Sequence, residues 1–137
     1  MEVKNQVSPD MQVAMDFFSQ PEDGPFVMLN LLKFKEKPEY DDDSDAESSG
    51  RHAYQRYGQV VSQCIQEIGG RVIFSGFVTG LLLGEIEENW DMVALVEYPS
   101  LEAFRRMTAL PEFIEASKHR SAGLAGQLNI KVKPTAA

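Results

Sequence analysis

The sequence has little cysteine, little histidine and little positive charge. One cysteine, Cys64, cannot form an internal disulfide, and two histidines far apart in the chain give no metal-ligand motif. Only 13 Lys and Arg residues stand against 21 Asp and Glu residues, and the net charge is −8. Nucleic acids and anionic membranes both need clustered cations. We therefore predict no metal, no cofactor, no nucleic-acid partner and no membrane partner.

Long apolar runs and familiar catalytic motifs are also missing. No apolar run approaches the ~20 residues of a membrane-spanning helix, and residues 1–6 do not resemble a secretory signal. The sequence contains no zinc-peptidase motif, CxxC motif, nucleophile elbow, phosphate loop or dinucleotide fingerprint. These absences predict a cytoplasmic protein and leave open whether it is an enzyme. At 137 residues and 43% hydrophobic, the chain fits a single domain over residues 1–137.

The most informative stretch is residues 26–34, FVMLNLLKF, which is apolar on both faces of a strand. Side chains of a strand alternate between two faces, so only Asn30 and Lys33 interrupt the two apolar rows. This pattern is typical of a buried central strand.

The acidic stretch over residues 35–50 predicts a flexible, solvated loop. A calcium loop is the alternative, because Asp41, Asp43 and Asp45 occupy positions 1, 3 and 5 of an EF-hand. Ala46 and His52, however, stand where that motif needs Gly and a bidentate Glu. We therefore predict a plain acidic loop.

The remaining pattern predicts alternating helices and strands within a core over residues 24–133. Ser8 as N-cap and Pro9 predict an N-terminal helix over residues 8–20. Cys64 lies in the apolar stripe of the next helix and is expected to be a buried small hydrophobe. The other predicted elements are a helix over 51–68, a bulged strand over 71–85, a strand over 91–98, helices starting at Ser100 and Pro111, and an edge strand over 124–132.

The order β-α-β-β-α-β is that of an α+β, ferredoxin-like fold with a four-stranded antiparallel sheet. In this fold the first and third strands are central, and both helices cover one face of the sheet. The other face needs a cover, because soluble monomers rarely expose a large apolar patch. We predict a homodimer that packs sheet against sheet. The alternative is a monomer whose N-terminal helix crosses that face.

Several strings carry a family resemblance over about Gly24 to Ile130. They are GPFVMLNLLKFK, the Tyr-x-x-Tyr-Gly at residues 54–58, GGRVIFSG, Trp90 with Asp91, VALVEYPS with the following EAF, and the HR at residues 119–120. In this order and spacing they resemble the bacterial domain-of-unknown-function family 1330, of the dimeric α/β-barrel group. The resemblance implies a ferredoxin-like subunit and a dimer in which two sheets form a barrel. It implies no reaction.

Six residues are candidates for a site. Asn30 is a buried amide that would bind a ligand carbonyl or hydroxyl, or would instead tie the strand to a helix backbone. His119 is the candidate catalytic base or acid, and the alternative is a helix C-terminal cap. The candidate ligand-binding residues are Asn30, Tyr54, Tyr57, Trp90 and Arg120, and Arg120 would hold a carboxylate or form an ion pair.

Two functions remain open at this point. The first is binding or conversion of a small apolar or aromatic molecule in a pocket between the sheet and the helices of a homodimeric α/β barrel. The second is a non-catalytic dimeric assembly module without a ligand, in which these polar residues only satisfy the core.

Overall fold

The helices and strands follow the predicted order. A computed structural model describes residues 3–42 and 48–135. The elements are α1 (Met11–Phe18), β1 (Phe26–Phe34), α2 (Gly50–Glu67), β2 (Arg71–Phe77), β3 (Met92–Tyr98), α3 (Leu101–Thr108), α4 (Pro111–Gly123) and β4 (Leu124–Val132). The four strands form one antiparallel sheet in the order β2-β3-β1-β4. The predicted ferredoxin-like fold is confirmed, with β1 and β3 in the centre.

β1 is the central strand that its two apolar rows predict. Phe26, Met28 and Leu32 are buried against the helices, at 0%, 4% and 0% exposure. Met28 pairs with Val96 of β3 on one side and with Lys131 of β4 on the other. The alternate residues of β1 face the opposite side of the sheet, where they are only half-buried.

The core lies between this sheet and the helices. α2 contributes Val61, Cys64 and Ile65, which confirms Cys64 as a buried small hydrophobe. α3 begins where expected, because the Ser100 side chain accepts a hydrogen bond from the backbone N–H of Ala103 at 3.0 Å. The sequence pattern therefore located the core accurately.

The N-terminal helix is shorter than predicted and starts later. α1 begins at Met11, after Asp10, and Ser8 does not cap it. The preceding chain is held elsewhere, because the Gln6 N–H donates to the carbonyl of Gln127 at 3.2 Å along the edge of β4. α1 therefore begins after the segment that is bound along the edge of β4.

α1 packs on the helix side of the sheet. The rings of Phe17 and Phe18 lie 6.1 and 5.4 Å from that of Phe104 on α3. The alternative in which α1 crosses the opposite face of the sheet is therefore wrong.

The second strand is also shorter than predicted. β2 ends at Phe77, and residues 78–90 form an irregular connection to β3. The expected bulge is present, but it falls between Val72 and Phe74 and involves no glycine. Gly84 adopts φ = +99°, a conformation that strands exclude and that glycine tolerates. The chain has already left the sheet at Val78, before this glycine.

The start of the acidic stretch is tied to the end of α4. The Lys35 N–H donates to the carbonyl of Gly123 at 2.8 Å, and the Glu39 N–H donates to that of Ala122 at 2.9 Å. Pro38 is buried. Asp43 and Asp45 lie outside the described residues, so the flexible acidic loop stays a prediction there.

The sheet face opposite the helices is apolar across all four strands. We call it the open face. Phe74, Ile130 and Val132 are 57%, 47% and 40% exposed. By strand alternation and register, the apolar residues of the open face are Val27, Leu29, Leu31, Phe74, Val93, Leu95, Leu128, Ile130 and Val132. The charged residues Lys33, Arg71 and Glu97 lie at its borders.

Candidate functional site

A cleft of about 380 Å³ lies on the helix side of the sheet, between α2 and the ends of β1, β2 and β3. This volume falls within the range of small-molecule sites. The cleft is lined by Phe34, Arg51, Tyr54, Gln55, Gly58, Gln59, Ser62, Phe77 and Met92. We call it the α2 cleft.

Sheet pairing brings the apolar wall of the α2 cleft together. Met92 pairs with Leu32 of β1 and with Phe77 of β2, and Phe34 ends β1 on the same face. The Tyr54 ring lies 5.7 Å from that of Phe34. The wall is therefore built from three strands and one helix, and it suits an aromatic or apolar molecule.

One cation lies at the α2 cleft. The Arg51 guanidinium is centred 3.9 Å above the Phe77 ring, a cation–π distance. Burial raises the pKa of the Tyr54 hydroxyl well above its usual value, so this phenol is neutral at physiological pH. The arrangement provides an apolar wall, neutral hydrogen-bonding groups and one positive charge.

Asn30 and Arg120 belong to a separate polar network inside the fold. The Asn30 side-chain amide donates to the carbonyl of Ala94 at 3.2 Å, and its Oδ1 accepts from Gln127 Nε2 at 2.9 Å. Arg120 donates to Gln127 Oε1 at 3.0 Å and to the carbonyl of Val7. This network joins β1, β3, β4, α4 and the N-terminal segment. Asn30 thus binds neighbouring strands rather than a helix backbone.

Gln127 is the residue of this network that sequence reasoning missed. Its alternation with Leu128 on an edge strand is typical of a solvent-facing polar residue. In the structure Leu128 lies on the open face and Gln127 faces the helices. The only signal was Asn30, which the sequence predicts to be a buried amide and which therefore requires partners; in the structure it is half-buried.

Tyr57 lies between the polar network and the α2 cleft. Its ring is 5.4 Å from the Tyr54 ring, and the Arg120 guanidinium carbon is 5.9 Å from its centroid. Burial raises the pKa of the Tyr57 hydroxyl, and the nearby Arg120 charge partly opposes this effect. The structure therefore brings together four of the six predicted residues, but only Tyr54 lines the α2 cleft.

His119 lies in a second pocket. Its Nδ1 is 2.6 Å from the Tyr40 hydroxyl, which accepts a hydrogen bond from Arg56 at 3.3 Å. The pocket has a volume of about 430 Å³ and is lined by Glu39, Tyr40, Asp41, Asp42, Arg56, Lys118, His119, Ser121 and Ala122. Its polar lining differs from that of the α2 cleft, and Asn30 is not part of it.

Trp90 lies apart from both pockets, in the irregular segment before β3, where it is half-buried. Among residues 3–42 and 48–135, no three His, Cys, Asp or Glu side chains are grouped so as to hold a metal ion. In the same part of the chain, none of the helices combines the length and the apolar character that crossing a membrane requires.

Comparison with known proteins places the chain among proteins of unknown function. A family model described as "Domain of unknown function (DUF1330)" matches residues 44–131. A crystal structure of a protein of unknown function from Rhodopseudomonas palustris is similar at 32% identity, covers 98% of this chain and 100% of that chain, and has a TM-score of 0.88. Among curated proteins, none matches.

More distant structures share the fold. A dimeric protein of unknown function with a ferredoxin-like fold from Bacteroides fragilis is 14% identical, covers 80% of this chain and 95% of that chain, and has a TM-score of 0.51. A Dabb family protein with a ferredoxin-like fold from Mesorhizobium loti is 13% identical, covers 82% and 99%, and has a TM-score of 0.50.

Proposed function

The chain belongs to the DUF1330 family, and we propose that it is a homodimer whose subunits each bind a small aromatic or apolar molecule in the α2 cleft. The observation that carries the proposal is the cleft itself, with an aromatic wall, polar groups along α2 and a volume of about 380 Å³. Small-molecule sites combine these features, with a few polar groups that orient an otherwise apolar ligand.

The open face supports the homodimer. Its large apolar side chains are exposed or half-buried, and the helices α1 to α4 pack on the other side of the sheet. The fold neighbour from Bacteroides fragilis is described as dimeric. Packing two open faces together would remove this surface from water and would form the barrel that the family resemblance implies.

Ligand-observed NMR with indole, benzoate and benzamide as probes tests the cleft. We expect saturation transfer from the wild-type protein to at least one probe. Gln59→Trp should abolish it, because Gln59 lines the cleft and a bulky ring there would fill it. Gln63→Trp is the matched control on the same helix, since Gln63 is exposed and does not line the cleft. Binding that survives Gln59→Trp would refute this site.

The assembly module is the second candidate, and the Asn30 network favours it. The polar atoms of the Asn30 side chain are used in bonds between strands, as expected of a residue that only satisfies the core. If none of the three probes binds to a wild-type protein that dimerises, the assembly module is the better account.

The catalytic role of His119 is a separate proposal that belongs to the second pocket. The His119 imidazole is hydrogen-bonded to the Tyr40 hydroxyl, an arrangement that orients a general acid or base. The variants His119→Ala and Tyr40→Phe, each assayed for probe binding, test whether that pocket takes a ligand. Probe binding that is unchanged in both variants would show that His119 does not contribute to binding these probes.

A further inference from the structure

The connection between β2 and β3 exposes leucines to a degree that no other part of the described chain approaches. Leu81, Leu82 and Leu83 are 53%, 102% and 89% exposed, and Ile86 is 43% exposed. We call residues 78–90 the leucine arm. Exposed apolar patches of this kind mark interaction surfaces.

The root of the leucine arm is fixed at the open face. Lys33 follows Leu31 by two residues, so both project from β1 on the same side. Its Nζ donates to the carbonyl of Asn89 at 2.9 Å and lies 3.8 Å from the carboxylates of Glu88 and Asp91. The arm therefore leaves the subunit at the border of the surface that the proposed dimer buries.

The open face by itself would make a small dimer interface. Four strands at ~4.8 Å spacing and seven residues at ~3.4 Å give a projected area of roughly 450 Å². A standard interface buries about 800 Å² of accessible surface on each partner, and the accessible surface of a face exceeds its flat footprint, so the open face alone would form an interface at the small end of this range. The leucine arm borders the open face and is the most exposed apolar segment described, so it is the natural source of additional contact.

From these three observations we infer that the leucine arm of each subunit docks on the second copy of the chain and extends the sheet-to-sheet interface. This inference rests on the proposed homodimer and adds the element that completes it. A membrane is a poor alternative occupant, because Glu85, Glu87 and Glu88 lie in the same arm and anionic lipid surfaces repel acidic segments.

Sedimentation velocity over a dilution series tests the inference with the full-length protein. The double variant Leu82→Asp/Leu83→Asp removes four leucines from each dimer, and the dimer Kd should rise at least ~100-fold. The side chains are exposed, so the thermal unfolding of the monomer should not change. The matched control Met11→Asp/Ile114→Asp charges two exposed apolar residues on helices and should leave the dimer Kd unchanged.

Limited chymotrypsin digestion provides a readout without substitution. Cleavage after Leu81, Leu82 or Leu83 should slow at protein concentrations above the dimer Kd, because a docked arm is protected. A dimer whose Kd is unaffected by Leu82→Asp/Leu83→Asp and whose arm is cut at the monomer's rate would overturn the inference and leave the homodimer standing. A wild-type protein that stays monomeric at all concentrations would overturn both.

Discussion

Two glycines of α2 should respond in opposite ways to the same substitution. Gly50 begins the helix at a backbone crossing, where an added Cβ would lie 2.1 Å from the carbonyl oxygen of Lys35 and 2.6 Å from that of Gly123. Gly58 has nothing within 4 Å of the same added atom. Both positions have helical geometry, so the comparison isolates the effect of close packing.

The expected magnitudes follow from this geometry. Gly58→Ala should stabilise the protein by about 0.5–1 kcal/mol, because alanine loses less backbone entropy in a helix. Gly50→Ala should destabilise it by about 1–3 kcal/mol, since the atoms in its way are backbone and cannot rotate aside. Urea denaturation at one fixed protein concentration measures both free energies of unfolding. Two changes of the same sign would refute the reasoning.

Three further predictions concern the core and the titratable groups. Phe104→Ala removes the ring that stacks on Tyr98 at 4.4 Å and should lower the free energy of unfolding by about 3–5 kcal/mol in the same assay; a loss below about 1 kcal/mol would contradict the packing described. The Glu22 carboxylate accepts hydrogen bonds from the N–H groups of Leu101 and Glu102 at the start of α3, which lowers its pKa below the ordinary value of a glutamate. Its stabilising effect is therefore present above that value and lost as the pH falls through the folded-state pKa. Glu22→Gln should lower Tm at neutral pH, and this loss should shrink as the pH falls through the folded-state pKa; a loss that does not change with pH would contradict this role. Burial raises the pKa of Tyr54 and Tyr98 above 10.0, so their neutral phenols contribute stability that is complete below pH 10 and declines above it. An ultraviolet titration that shows both phenols ionising at their ordinary pKa in the folded protein would argue against their burial.

The sequence predicted those parts of the fold in which local pattern and tertiary contact agree. β1 has the bounds expected from its two apolar rows. Ser100 caps α3, at the position where a helix start was expected. At these positions the local sequence pattern favours the observed structure, and no contact with a distant part of the chain opposes it.

The structure differs from the prediction where a contact with a distant part of the chain determines the local conformation. Ser8 and Pro9 are good helix-start residues, but the chain before Met11 is bound to the edge of β4. Periodicity placed Leu128 correctly in a strand, but it could not show that its apolar side would face away from the subunit's own helices. The sequence pattern of one strand does not show which of its two faces packs on the helices.

The candidate site also contains some residues that the sequence predicts and others that only the fold brings together. Tyr54 was predicted from its residue type, an aromatic ring with a polar tip, and lines the α2 cleft, whereas Arg51 and Phe77 come from distant parts of the sequence and meet only in the fold. Asn30 was chosen as a polar residue in an apolar strand and Arg120 as a cation beside His119, and Gln127 joins them from β4. Residue type identifies candidates, and sheet register decides which of them share a pocket.

A native mass spectrum of gently purified wild-type protein tests the central claim most directly, because it reports the subunit count and any retained small molecule together. The account predicts a dimer, with up to one bound molecule for each subunit. A monomer at micromolar concentration would contradict it, since the open face would then be exposed to water.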